Sequence, residues 1–190
     1  MTSKHSRSRK QKEEVKKLTM PVNSSSDHIR GSVNNNAPIT LVEYGDYECP
    51  YTAMAYPIVK EIIRQFGDKI YFVFRNFPLS DIHPHAQYAS EAAEAAAAQD
   101  KFWQMHDYLF EHQKALDDNH LLQYAQKIGL DIHKFKGDVS RHAYAPLIEE
   151  SLKGGIDSGV EGTPTFFVNG LRYEDSWDFK TFSETFKRYL

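Results

Sequence analysis

The sequence predicts an α/β fold in which a central mixed sheet is flanked by helices and carries an all-helical insertion. Three observations predict it. A strand, a helix and a second strand follow one another over residues 39–77, residues 83–158 lack strand-like alternation, and residues 165–190 have the pattern of a hairpin followed by a helix. A strand–helix–strand unit gives a parallel pair and a hairpin gives an antiparallel one, so the sheet should be mixed.

The first unit begins with residues 39–44, a β-branched and apolar run that ends at Gly45-Asp46 and indicates a central strand. From Pro50 to residue 66, apolar side chains recur at helical spacing. Pro50 suits a first helical turn, because the N–H that proline lacks would have no intrahelical partner there. Residues 70–77 are again β-branched and aromatic, which predicts the second strand.

The insertion, about residues 83–158, is helical by content. Ala86 to Gln99 holds eight alanines, and further helices are expected over 102–113, 121–128, from 130 onward, and over 143–152 before Gly154-Gly155. Asn169-Gly170 between two short apolar runs is a strong signal for a two-residue hairpin. Residues 178–190 predict a final amphipathic helix.

Composition and charge divide the chain into a tail and one domain. At 190 residues and 41% hydrophobic content, the chain can bury a single sizeable core. Residues 1–36 are rich in Ser, Lys, Arg and Asn, which predicts a disordered basic N-terminal tail before a domain at 37–190. A solvated leader is favoured over an electrostatic arm. Residues 20–190 carry 16 basic and 24 acidic side chains, so no nucleic-acid binding is expected from the folded domain.

Cysteine usage and hydropathy bear on the compartment. One cysteine cannot form an internal disulfide, which fits a reducing environment. The basic residues near the start precede no apolar stretch of signal-peptide length, and no run is long enough to span a membrane. The sequence therefore predicts a cytoplasmic protein without a membrane partner. It leaves the oligomeric state open.

That single cysteine, Cys49, lies where the first strand gives way to the first helix. Backbone N–H groups and the positive end of the helix dipole favour a thiolate at this position. A thiolate is the form that attacks disulfides, peroxides or other electrophiles. An inert, buried cysteine is the alternative, since free cysteine is among the most buried residue types.

Four motifs in order resemble the DsbA-like branch of the thioredoxin superfamily, over roughly residues 28–190. They are Leu41 to Tyr51, Arg75 to Leu79 with His83 to Ala86, Lys101 to Phe110, and Gly162 to Phe166. The resemblance implies a thioredoxin-like fold and a catalytic Cys49. It also implies that Pro164 is cis and opposes Cys49, with Thr163 presenting backbone to a peptide or thiol substrate. Pro50, Tyr51, Thr163 and Pro164 are the implied substrate-binding residues.

The sequence departs from that family at Thr52, where a DsbA-like enzyme has its resolving cysteine. A lone cysteine can form only a mixed disulfide, which an external thiol must resolve. The favoured hypothesis is monothiol thiol–disulfide exchange on a protein or small thiol substrate, with glutathione as the external thiol. Thr52 would donate a hydrogen bond to the thiolate. The alternatives are a redox-disabled binding module and a peroxide-reactive single-cysteine protein.

No bound cofactor or metal is predicted. His106 and His112 are six residues apart, which places them on different faces of a helix, and no second cysteine is available for a zinc site. The glycines at 154, 155, 159 and 162 lack the preceding strand that a phosphate-binding loop requires. His83 and His106 are instead expected to be framework residues.

Overall fold

A computed structural model describes residues 16–23, 25–32 and 36–190. No helix in these ranges has both the length and the apolar character needed to cross a membrane. The strands are β1 (His28–Gly31), β2 (Ile39–Gly45), β3 (Ile70–Asn76), β4 (Thr165–Val168) and β5 (Leu171–Arg172). The helices are α1 (Pro50–Phe66), α2 (Ala86–Ala97), α3 (Phe102–Glu111), α4 (Asp118–Lys127), α5 (Ile132–Ser140), α6 (Ala145–Asp157) and α7 (Phe179–Lys187).

The five strands form one mixed sheet in the order β1-β3-β2-β4-β5. β2 and β3 are parallel because α1 crosses over between them, and every other neighbouring pair is antiparallel. Asn169 and Gly170 adopt positive φ angles of 49° and 80°, as a tight hairpin between β4 and β5 requires. The predicted mixed sheet is confirmed. Helices α2 to α6 lie between β3 and β4 along the chain.

The sheet buries side chains on both faces, because β2 and β3 alternate between two hydrophobic clusters. One face, which includes Leu41, Phe72 and Phe74, packs with α1, α7 and the insertion helices α2 to α5. The other face, which includes Val42 and Tyr44, forms a smaller cluster that α6 and the N-terminal segment cover. β2 therefore runs through the centre of the molecule, and its carboxyl end positions the loop that follows.

Part of the segment predicted as a tail, residues 1–36, has regular structure, while residues 1–15, 24 and 33–35 lie outside the described residues. Residues 28–31 form β1, an edge strand antiparallel to β3. The Arg30 guanidinium donates two hydrogen bonds to the Asp107 carboxylate, at 2.8 and 2.9 Å, and lies over the Trp103 ring. Contacts with residues more than 70 positions away thus order a segment whose own composition is polar.

Helix α6 continues through Gly154-Gly155, where the sequence predicted its end. A Cβ on Gly154 would come within 2.5 Å of the Met20 side chain, and one on Gly155 within 2.6 Å of the Phe77 ring. The two glycines therefore allow close approach of the helix to the N-terminal segment and to the end of β3. Close packing outweighs the low helix propensity of glycine here.

Candidate active site around Cys49

Cys49 occupies the N-cap position of α1, with extended backbone angles, and Pro50 is the first helical residue. Its side chain is 4% exposed. The thiol donates a hydrogen bond to the Thr163 carbonyl oxygen, with 3.2 Å between the sulfur and the oxygen. The first turn of α1 contains no acidic residue. The sulfur therefore lies at the positive end of a 17-residue helix with no carboxylate from that turn to oppose it.

The loop before β4 supplies the other side of the site. The Thr163–Pro164 peptide bond is cis, as the resemblance implied, so this prediction is confirmed. Thr163 is buried, and its hydroxyl oxygen has no hydrogen-bond partner among the described residues. The structure thus brings Cys49 and Thr163, 114 positions apart, into contact through the thiol and a backbone carbonyl.

Thr52 is fully buried on the inner face of the first turn of α1. Its hydroxyl oxygen accepts a hydrogen bond of 3.5 Å from the Asp46 N–H. The structure therefore pairs Thr52 with the loop backbone, while the thiol is paired with Thr163. A hydrogen bond from Thr52 to the thiolate remains a prediction for the ionised state.

Tyr51 and Met54, on the first turns of α1, are both 59% exposed. Ile82, in the loop between β3 and α2, is also exposed. Single exposed apolar residues are ordinary, but here two of them lie within five residues of the candidate nucleophile along one helix. The exposed surface of the first turns of α1 is therefore partly apolar.

Two carboxylates fasten the loop that carries Cys49 to the start of the insertion. Asp46, which is fully buried, accepts hydrogen bonds from the backbone N–H of Glu48 and from the His83 ring, at 2.7 and 2.8 Å. Glu48 in turn contacts the backbone N–H and the ring of His85, at 2.6 and 2.9 Å. His83 is thus a framework residue. The carboxylate of Glu48 is turned toward His85 in the insertion.

Glu43 is a feature of the site region that the sequence reasoning missed. It lies on β2, opposite Phe74 of β3 and Phe166 of β4, and is 2% exposed. Its Oε1 atom has no hydrogen-bond partner within the described ranges. Burial raises the pKa of this carboxyl from 4.5 to about 8, so the folded protein holds it protonated at neutral pH. An acidic residue in the middle of an otherwise apolar central strand was the available signal.

A second buried polar pair lies behind the loop. The Tyr47 hydroxyl and the Nδ1 atom of His106 are 3.1 Å apart, and both side chains are almost fully buried. Burial raises the pKa of Tyr47 and lowers that of His106 well below 6.5, so both side chains are neutral at pH 7. His106 is a framework residue, and the pair holds Tyr47 under the loop without carrying a charge.

The described ranges contain no group of three or more His, Cys, Asp or Glu side chains that could hold a metal ion. The histidines of the region are paired individually with a carboxylate or a hydroxyl, as at His83 and His106. The reactive group that this geometry offers is the sulfur of Cys49.

Comparison with known protein families shows the family to which this chain belongs. A family model described as Thioredoxin matches residues 23–188. The chain belongs to the thioredoxin family. The match includes β1, so the family domain begins earlier than the sequence-based boundary at residue 37.

Solved structures share the fold of this thioredoxin-family chain. Oxidised BdbD from Bacillus subtilis has a TM-score of 0.73 and 23% identity, over 87% of this chain and 93% of that one. Alpha-DsbA1 from Wolbachia pipientis has a TM-score of 0.74 and 19% identity, over 90% and 94%. A thioredoxin-like oxidoreductase from Silicibacter pomeroyi has a TM-score of 0.73 and 24% identity, over 88% and 97%. The thioredoxin-like fold predicted from the four motifs is thereby confirmed.

Curated relatives of higher identity carry a different name. Na⁺/H⁺ antiporter NhaA 1 of Salinispora arenicola is 46% identical over 166 residues, which are 87% of this chain and 25% of that protein. NhaA of Herminiimonas arsenicoxydans is 42% identical over 164 residues, or 86% and 26%. The chain thus spans about a quarter of the length of the curated relatives it matches.

These relatives correct the predicted compartment. The sequence pointed to the cytoplasm because of its single cysteine and the composition of its first residues. Relatives that align with more than four fifths of the chain are named as Na⁺/H⁺ antiporters, which gives no support to a cytoplasmic assignment. A cysteine count does not fix the compartment of such a domain, and the cytoplasmic prediction is withdrawn.

Proposed function

We propose that this chain catalyses thiol–disulfide exchange through Cys49 alone. The observation that carries the proposal is the position of the sulfur, at the N-terminus of α1 and 3.2 Å from the carbonyl oxygen that precedes cis-Pro164. A helix N-terminus favours the thiolate, and the thiolate is the attacking form. Membership of the thioredoxin family supports the same chemistry.

In the proposed reaction, the Cys49 thiolate attacks one sulfur of a substrate disulfide. The substrate S–S bond breaks, one substrate thiolate leaves, and a mixed disulfide forms between Cys49 and the other half. An external thiolate, for which glutathione is the proposed source, then attacks the substrate sulfur of the mixed disulfide. This second exchange regenerates the Cys49 thiolate and releases a new disulfide, so electrons are conserved over the cycle.

The proposed substrates are disulfides and thiols of proteins, as well as small thiols. The exposed side chains of Tyr51 and Met54, on the first turns of α1, are proposed to offer an extended chain an apolar surface. Pro50 and Tyr51 on α1, with Thr163 and Pro164 opposite, form the proposed substrate-binding residues. Thr52 is proposed to stabilise the thiolate by a hydrogen bond once Cys49 ionises.

Ion transport is not proposed for this chain, although its curated relatives are named for it. The alignment with the Salinispora arenicola protein covers 87% of this chain but only 25% of that protein, and the Thioredoxin match takes in residues 23–188 of this chain. We propose that the shared stretch is a redox domain in those longer proteins.

Oxidised glutathione tests the proposal directly, because the chain has one cysteine. Incubation of the folded protein should give a single mixed disulfide, seen as one glutathione adduct by mass spectrometry and removed by reduced glutathione. Cys49→Ser is the control and should give no adduct. If folded protein forms no adduct while urea-unfolded protein does, the exchange function is wrong.

A binding module without redox chemistry is the second candidate, and the 4% exposure of Cys49 favours it. Thr52→Cys separates the two. If the site retains its chemistry, this variant should form an internal disulfide and oxidise a reduced substrate peptide, which the parent protein cannot do. If the folded variant forms no disulfide between residues 49 and 52 under oxidised glutathione, or if its disulfide form does not oxidise the peptide, the binding module is favoured.

A further inference from the structure

Gln113 lies in the turn that follows α3 and reaches the loop that carries Cys49. Its side-chain nitrogen donates hydrogen bonds to the backbone carbonyl oxygens of Tyr47 and Cys49, at 3.0 and 2.8 Å. Carbonyl oxygens only accept hydrogen bonds, so the amide NH₂ group of Gln113 must face both of them. The Gln113 side chain, which belongs to the insertion, thus binds the loop backbone on both sides of Glu48.

The two carbonyls differ in what else they contact. The Cys49 carbonyl also accepts the Ala53 N–H, at 3.1 Å, which is the first backbone hydrogen bond of α1. For the Tyr47 carbonyl, Gln113 is the donor that the structure shows within the described ranges. The Gln113 amide therefore holds the backbone at two residues, Tyr47 and the candidate nucleophile Cys49. Its two N–H groups also point at the negative, oxygen ends of the Tyr47 and Cys49 carbonyl dipoles.

We propose that Gln113 is a positioning residue: it fixes the backbone at Tyr47 and Cys49 and so keeps the Cys49 sulfur at the N-terminus of α1, where the positive end of the helix dipole favours the thiolate. Without the amide, the Tyr47 carbonyl loses the donor that the structure shows for it. Asp46 and Glu48 still tie the loop to the insertion, but the backbone at Cys49 is less tightly held and the sulfur shifts relative to the helix axis. The proposal rests on the proposed function in taking Cys49 as the reacting group. It makes the helical insertion, through this turn, part of the apparatus that sets thiol reactivity.

Two substitutions test the role of the donor. Gln113→Met keeps the length of the side chain and removes the N–H groups, whereas Gln113→Lys restores a donor at similar reach. Gln123→Met, at an exposed position on α4, is the matched control. Ultraviolet absorbance of the thiolate, measured against a Cys49→Ser blank, gives the pH at which half of the thiol is ionised. The rate of alkylation by iodoacetamide at fixed pH is the second readout.

Gln113→Met should slow alkylation at neutral pH by about two- to fivefold and move the half-ionisation pH upward, because the thiolate loses part of its typical stabilisation by a helix N-terminus. Gln113→Lys should recover most of the difference, and Gln123→Met should match the parent. Circular dichroism checks that each variant is folded. A folded Gln113→Met with the parental half-ionisation pH overturns the proposal. If that variant does not fold, a folded Gln113→Lys with an elevated half-ionisation pH overturns it equally.

The outcomes also separate this inference from the exchange function. The absorbance measurement needs no reaction with a disulfide, so it yields a result even if the parent protein forms no glutathione adduct. An unreactive parent would refute exchange and leave the role of Gln113 to be judged by absorbance alone. A reactive parent with an unchanged Gln113→Met would refute only the positioning role.

Discussion

Replacing the buried acid Glu43 by glutamine should change how the stability of the protein depends on pH. Glu43 is 2% exposed as a residue, its Oε1 atom lacks a partner in the described structure, and burial raises the pKa of its carboxyl from 4.5 to about 8. In the unfolded chain the same carboxyl ionises near 4.5. Between these two values the folded protein binds a proton that the unfolded chain has lost.

The sign and size of the effect follow from that difference. Proton binding by Glu43 stabilises the fold fully below pH 4.5, and this contribution falls as the pH rises toward 8. Each pH unit in that window costs about 1.4 kcal/mol, because one proton more is bound in the folded state. Between pH 5 and pH 8 the parent should therefore lose on the order of 4 kcal/mol relative to Glu43→Gln, a substantial share of the roughly 5–15 kcal/mol typical of a domain.

Urea unfolding of both proteins at pH 5, 6, 7 and 8 measures this difference. The contributions of the other titrating groups are common to both proteins and cancel in the comparison. Glu149→Gln, an exposed position on α6 with the same change of side chain, is the control and should run parallel to the parent. If the curves for the parent and for Glu43→Gln are also parallel, the carboxyl is not held protonated by burial and the reasoning fails.

Two further predictions concern packing around the sheet. Asp27→Ala removes the carboxylate that accepts two hydrogen bonds from the buried Arg75 guanidinium, each of 2.9 Å, so urea unfolding should show a loss of about 3–5 kcal/mol. A loss below about 1 kcal/mol would mean that the ion pair does not hold the N-terminal segment. Gly155→Ala forces a methyl group against the Phe77 ring and should cost about 1–3 kcal/mol, whereas Gly162→Ala, which faces open space, should cost less than about 0.5 kcal/mol. Equal losses in the two glycine variants would contradict the close-packing explanation.

Much of the fold was predictable because its signals are local. The apolar run of β2, the helical spacing after Pro50 and the Asn169-Gly170 turn each depend on residues that are neighbours in the sequence. β1 was missed because a four-residue edge strand has too little pattern to stand out from a polar segment. The end of α6 was misplaced because the reason for Gly154-Gly155 lies in Met20 and Phe77, which are distant in the sequence.

The sequence by itself determined the candidate nucleophile, since a lone cysteine between an apolar strand and a proline-led helix is placed at a helix N-terminus by local rules alone. It also determined that no second thiol is available. Only the tertiary structure decided what surrounds that sulfur. Burial and hydrogen-bond partners depend on which distant segments fold together. Long-range packing therefore decides the contact of the sulfur with Thr163, the protonated state of Glu43 and the hydrogen bonds from Gln113.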